Sequence, residues 1–126
     1  MGTKVKRLTG KDVIVADVKG RLNLPKSVDV VRDLVSHPEY EEHMEVVFDL
    51  RDAECELTVS DVFQLAYYMA WPEAGLPTRR KVAVIVSPEK EFDHAQFFET
   101  CAVNRGLQVK SFQDVRSAEA WLGISA

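Results

Sequence analysis

The chain has 126 residues, 46% hydrophobic and 29% charged, with 16 Lys and Arg against 20 Asp and Glu for a formal net charge of −4. That length fits one domain, residues 1–126, able to build a core without a disulfide or metal staple. The interleaved, net acidic charge argues against nucleic acid as a partner, and no apolar run approaches the roughly twenty residues of a membrane-spanning helix, so membrane insertion is not expected. Two widely separated cysteines, Cys55 and Cys101, form neither a CxxC pair nor a disulfide framework. With no apolar signal segment after the basic residues near Met1, a reducing cytoplasm is the expected compartment.

Lys4 to Leu8 and Asp12 to Val18 are β-type segments separated by Thr9-Gly10-Lys11, a connection short enough for a hairpin. From Lys26 onward, Val28, Val31, Leu34 and Val35 recur at three- and four-residue spacing, which predicts an amphipathic helix. Pro38 pushes the residue before it out of helical geometry, so the helix should stop near Ser36. Glu45 to Leu50 is a β-rich run of the buried, parallel type, followed by a predicted polar loop over Arg51 to Glu56. Thr58 or Ser60 can cap a second helix, with Asp61 in its first turn and Val62, Leu65, Ala66, Met69 and Ala70 as its inward stripe. Pro72 and Gly75 close it.

Lys81 to Val86 is the clearest strand, flanked by Arg79-Arg80 and Ser87-Pro88, and it reads as central and covered on both sides. Phe92, Ala95, Phe98, Cys101 and Ala102 follow at helical spacing, and Gly106 is placed to end that helix. Leu107 to Phe112 is the last strand, and Ala118, Trp121 and Leu122 mark a short closing helix. The element order is therefore ββαβαβαβα. Each later strand is joined to the next through a helix, which predicts an α/β fold with a mixed, mostly parallel five-stranded sheet, helices on both faces and the first strand as an antiparallel edge.

Three stretches carry a resemblance to the STAS/SpoIIAA-like superfamily, in its uncharacterised bacterial branch. His37-Pro38-Glu39-Tyr40 running into Val46-Val47-Phe48-Asp49-Leu50-Arg51 is similar to a helix end, loop and strand closing on Asp-x-Arg. Arg80 to Val86 resembles the central strand of those domains, and Phe112 through Ala118-Glu119-Ala120-Trp121-Leu122 their closing helix. The resemblance implies a non-enzymatic regulatory or protein-interaction module. In the anti-sigma-factor antagonists of the superfamily, a serine in an Asp-Ser-Ser-Gly-like turn after the third strand is phosphorylated to switch partner binding. That turn is missing here. The matching stretch, Arg51 to Asp61, offers only Thr58 and Ser60 as hydroxyls, where a phosphate would gain from the helix N-terminus but meet Asp52, Glu54, Glu56 and Asp61.

Ligands of open α/β sheets bind beyond the carboxyl ends of the strands, which nominates Asp49, Arg51, Ser60 and Ser87 as lining one crevice. An Asp-Arg pair at a strand end is also a common structural ion pair. The alternative function is accordingly a small-ligand protein, for lipid or nucleotide, or an unrecognised enzyme using that crevice. His37, His43 and His94 occur singly, without the spacing that places two metal ligands on one helical face, so no metal is expected. No glycine-rich phosphate loop is present and no cofactor is expected. His94 beside Asp93 could serve as a base, but no nucleophile accompanies it in any known motif. Cys101 falls at core spacing, while Cys55 lies in the predicted polar loop between Glu54 and Glu56, which keep its thiol from activation. Tyr67, Tyr68, Trp71 and Phe97 exceed what the inward stripes can bury. Successive helical positions lie about 100° apart, so Tyr67 and Tyr68 cannot both face the core, and the surplus points to an interface such as a homodimer.

Overall fold

The computed structural model describes residues 2–8, 11–76, 81–87 and 92–123. The hairpin tip at Thr9-Gly10, the Arg79-Arg80 flank, Pro88 and the side chains of Phe92, Asp93 and His94 lie outside the described residues. Strand β1 (Gly2–Arg7) runs antiparallel to β2 (Val13–Leu22). The parallel strands β3 (Glu45–Cys55), β4 (Lys81–Ile85) and β5 (Gln108–Phe112) follow in the spatial order β1-β2-β3-β4-β5. Helices α1 (Leu24–Val35), α2 (Val59–Met69) and α3 (Phe92–Val103) make the crossovers, and α4 (Val115–Leu122) closes the chain. This is the α/β sheet that the sequence predicts, with β1 as its antiparallel edge.

Strand alternation sends neighbouring residues to opposite faces and so builds two unequal cores. Ile14, Val46, Phe48, Val82 and Val84 pack against α1, α2 and α3 through Val30, Leu34, Val62, Leu65 and Ala102. Val13, Val47, Ala83, Ile85 and Phe112 point the other way and meet the buried Ala118 and Leu122 of α4, with Leu8, Val15, Val115 and Trp121 partly buried against them. Helices thus lie on both faces, three against one. Each crossover advances by one strand in the same direction, and right-handed connections of that kind deliver every crossover helix to one side. Only α4, which follows the last strand, is free to cover the other.

Several expected boundaries move: β1 starts at Gly2 and β2 runs on past Val18 to Leu22, and two further shifts matter more. Helix α1 begins at Leu24, not Lys26, because Asn23 caps it: its side-chain oxygen accepts from the Lys26 N–H at 2.9 Å, and Pro25 sits in the first turn, where its missing N–H costs nothing. The larger correction concerns Arg51 to Glu56, expected as a loop. Strand β3 continues to Cys55, paired with an equally extended β2 through Lys19↔Asp52, Gly20↔Ala53, Arg21↔Glu54 and Leu22↔Cys55. Between Asp17↔Asp49 and Lys19↔Asp52 the strand carries one extra residue, a bulge that restores the alternation of exposed Asp52 and Glu54 with buried Ala53 and half-buried Cys55. Cys55 therefore ends a strand, not a polar loop.

Candidate functional site

Helix α2 is positioned by its first turn. Thr58 is the cap, and Ser60 is not: the Thr58 hydroxyl accepts from the Asp61 N–H at 3.1 Å while the Asp61 carboxylate accepts from the Thr58 N–H at 3.0 Å, a complete capping box. The Thr58 oxygen is thereby engaged in holding the helix start, and the exposed Ser60 hydroxyl accepts from Gln64 at 3.2 Å.

Beyond the cap the helix has two apolar faces. Val62, Leu65, Ala66 and Met69 are buried against the sheet. On the other side, Val59, Phe63, Tyr67 and Trp71 recur every four residues and stand 62%, 46%, 48% and 50% exposed, an apolar stripe turned to solvent. Trp71 lies just beyond the C-cap Ala70, and its ring meets Tyr67 edge-on with centroids 5.5 Å apart. Arg105, after the end of α3, lays its guanidinium over Phe63 at 4.5 Å and Tyr67 at 5.4 Å and donates to the Cys101 carbonyl at 3.2 Å. Of the two tyrosines, Tyr67 faces outward while Tyr68 packs partly against the core. Phe97 and Val103 add exposed apolar surface on α3. Val59, Phe63 and Arg105 were not singled out from the sequence, although the four-residue spacing of positions 59, 63, 67 and 71 is legible there.

Behind α2, at the carboxyl ends of β2, β3 and β4, lies a partly enclosed cavity of about 80 Å³. Leu22, Ala53, Val62, Met69, Val86 and Phe98 are among its walls, and Ser27, Cys55 and Ser87 contribute the polar atoms. Ser27 donates its hydroxyl proton to the Asn23 carbonyl at 2.7 Å.

The four residues nominated for a crevice do not converge. Ser87 lines the cavity and Ser60 lies on the exposed first turn of α2, whereas Asp49 shares the opposite sheet face with Val47. There Arg51 grips Asp49 through two bonds, Nε to Oδ1 at 2.9 Å and Nη2 to Oδ2 at 2.7 Å, and its backbone N–H adds a third at 3.2 Å. Burial pushes the Asp49 carboxyl up, but the bonds and charge of Arg51 outweigh it, and the carboxyl ends below its ordinary value. The bond to Asp49 in turn raises Arg51, with smaller contributions from Asp52 and Asp17. His37 accepts from the Glu39 N–H at 3.2 Å, and His43 lies 3.3 Å from Asp12. Among the described residues no group of three or more His, Cys, Asp or Glu side chains gathers to hold a metal ion, and no helix is long and apolar enough to cross a membrane.

No protein-family profile matches the chain, and no curated protein matches it. Among solved structures it is similar to an uncharacterised protein of the DUF3478 family with a SpoIIAA-like fold from Shewanella loihica PV-4, at a TM-score of 0.57 and 14% identity over 96% of this chain and 92% of that one. The chain has a SpoIIAA-like fold, the fold implied by its three resembling stretches.

Proposed function

We propose that the chain is a non-enzymatic protein-interaction module that docks through the outward stripe of α2, and that a regulatory role is exercised by pairing with a second copy of itself. The observation that supports this is the exposed series Val59, Phe63, Tyr67 and Trp71 on one helix whose inward face is already buried. Between Val59 and Trp71 the helix carries no Lys, Arg or Glu and a single Asp, Asp61, which is tied into the capping box, so the Arg105 guanidinium over Phe63 and Tyr67 is the cation that pairing must accommodate at the edge of the stripe. Antiparallel apposition also sets the two helix dipoles in opposition.

Magnitudes set the strength. Full burial of a large apolar side chain contributes about 1.5–3 kcal/mol, and half-exposed residues have about half of that left to gain. Two opposed stripes then supply on the order of 8 kcal/mol, against an association cost of roughly 4–15 kcal/mol. The pairing is therefore weak and concentration-dependent.

Sedimentation velocity across a concentration series tests the reading. The wild-type chain should shift from monomer to dimer, while the double variant Phe63→Ser/Trp71→Ser should remain monomeric with unchanged far-ultraviolet circular dichroism. A wild type that is monomeric throughout, or a variant that pairs equally well, overturns it.

A further inference from the structure

We infer that the outer edge of β1 is a docking site for an extended, acidic segment of another protein, added to the sheet as a further strand. The Leu8 N–H donates to the Val13 carbonyl at 3.0 Å, and the β1–β2 register keeps step with that pair along the whole strand. Alternation then turns the backbone groups of Lys4 and Lys6 toward β2 and those of Thr3, Val5 and Arg7 away from it. Among the described residues, no group beyond the strand takes up these outward N–H and C=O groups. Thr3 adds a hydroxyl oxygen that is buried with no hydrogen-bond partner, a second mark of a missing neighbour at this edge. The opposite edge of the sheet is treated differently. The Phe112 carbonyl accepts from the Val86 N–H at 2.9 Å, so Ser111 turns outward on β5, and its N–H donates to Glu99 Oε1 at 2.7 Å. An edge of six residues, roughly 20 Å long, with open backbone groups is a template for one more strand.

Charge names the occupant. Lys4 and Lys6 are exposed and lie on the same face of β1 as Leu8, whereas Arg7 lies on the other, where Asp12 already holds it at 3.1 Å. Across β2, Lys4 is opposite Asp17 but Lys6 is opposite Val15, so the Lys6 ammonium has no carboxylate directly across from it. A second copy of the chain fits poorly. Each antiparallel register that joins two or more of the outward residues of two β1 strands sets lysine opposite lysine. A segment with carboxylates at alternate positions meets both ammonium groups instead, and its intervening side chains fall beside Val5, which packs against the first core. The net charge of −4 does not forbid this, because at physiological salt exposed charges more than about 8 Å away are largely screened. The edge also stands apart from α2, which crosses between β3 and β4, so docking here does not depend on pairing through the outward stripe.

The probe is the capped peptide Glu-Thr-Glu-Val-Glu-Thr-Glu, with its Lys-for-Glu counterpart as control, titrated into the ¹⁵N-labelled full chain. The acidic peptide should shift the amide resonances of Thr3, Val5 and Arg7 to saturation and slow the exchange of those amides with solvent. The basic peptide should do neither. Lys4→Glu/Lys6→Glu should weaken the acidic peptide by about tenfold or more and admit the basic one. Val5→Pro removes an outward N–H without taking a donor from β2 and should weaken binding comparably, while Phe63→Ser/Trp71→Ser should leave it unchanged. Absence of a saturable response to the acidic peptide in the wild-type chain, an equal response to the basic peptide, or shifts confined to α2 would each overturn the assignment. Slow exchange at Thr3 and Arg7 that grows with protein concentration and needs no peptide would give the edge to a second copy and overturn it as well. The wild-type titrations decide the matter even if a variant does not fold.

Discussion

At the scale of single residues, Asp49 and Arg51 show how one pair of side chains carries two readings in sequence and one in space. Two positions apart on a strand, they share a face, and that much alternation predicts. What alternation does not give is which face, because that depends on where the helices pack. Phe48 and Leu50 point toward α1, α2 and α3, which leaves Asp49 and Arg51 on the face that α4 covers only in part. A carboxylate held below its ordinary value stabilises the fold above the unfolded-state pKa, and that contribution disappears as pH falls through the folded-state value. Asp49→Asn should therefore cost about 1 kcal/mol at neutral pH, as expected for a pair with one partner half-exposed. The difference between wild type and variant should shrink as pH drops below the ordinary 3.8 of an Asp carboxyl. Urea unfolding of both proteins at pH 7 and pH 3 checks this, and a difference independent of pH would mean that the charge of Asp49 contributes nothing.

Elements were legible to the degree that their periodicity is local. Helices α1, α2 and α3 and the apolar strand β4 announce themselves in short windows, and Gly106, with φ at +93°, takes the left-handed turn expected of it after α3. The second half of β3 did not, because Arg51-Asp52-Ala53-Glu54 is polar at three positions of four, and its strand character comes from β2 extending beside it past the bulge. Neighbouring backbone won over local composition. Helix α2 is the opposite case, with the cap, the inward stripe and the outward stripe all present as spacings. Its cap ties the functional proposal to stability. Thr58→Ala removes the acceptor for the Asp61 N–H and should destabilise the chain by about 1 kcal/mol in thermal or urea unfolding, whereas Ser60→Ala, which loses only an exposed bond to Gln64, should fall within about 0.5 kcal/mol of wild type. Equal effects at the two positions would mean that the capping box does not hold the helix start.

For the whole molecule, the unequal division of helices is the feature that sequence order implies only once the strand order is known. With β1 to β5 in sequence order, three crossovers fill one face and leave the other to a single helix of eight residues. That helix packs over β4 and β5, leaving β1, β2 and the far half of β3 to present Lys4, Asp17, Lys19 and Arg51 on the same face. Of the cavity, the sequence offered only its place at the carboxyl ends of the strands and Ser87, while its apolar walls come from side chains of separate elements that no local window brings together. The two faces should respond differently to truncation. Leu122 is 6% exposed and is one of two buried α4 residues in the second core, and α4 is further fixed by the Lys81 ammonium, which donates to the Trp121 carbonyl at 2.8 Å. Leu122→Ala should cost about 2–5 kcal/mol, the range for emptying a buried leucine site, with the upper end favoured because no second helix can move in to close the gap. Pairing through α2 should persist in the folded fraction, since the stripe lies across the sheet from α4. Urea unfolding combined with sedimentation of the folded variant separates these effects. A Leu122→Ala chain that folds normally but no longer dimerises would move the interface to the α4 side and sink the assignment of the α2 stripe.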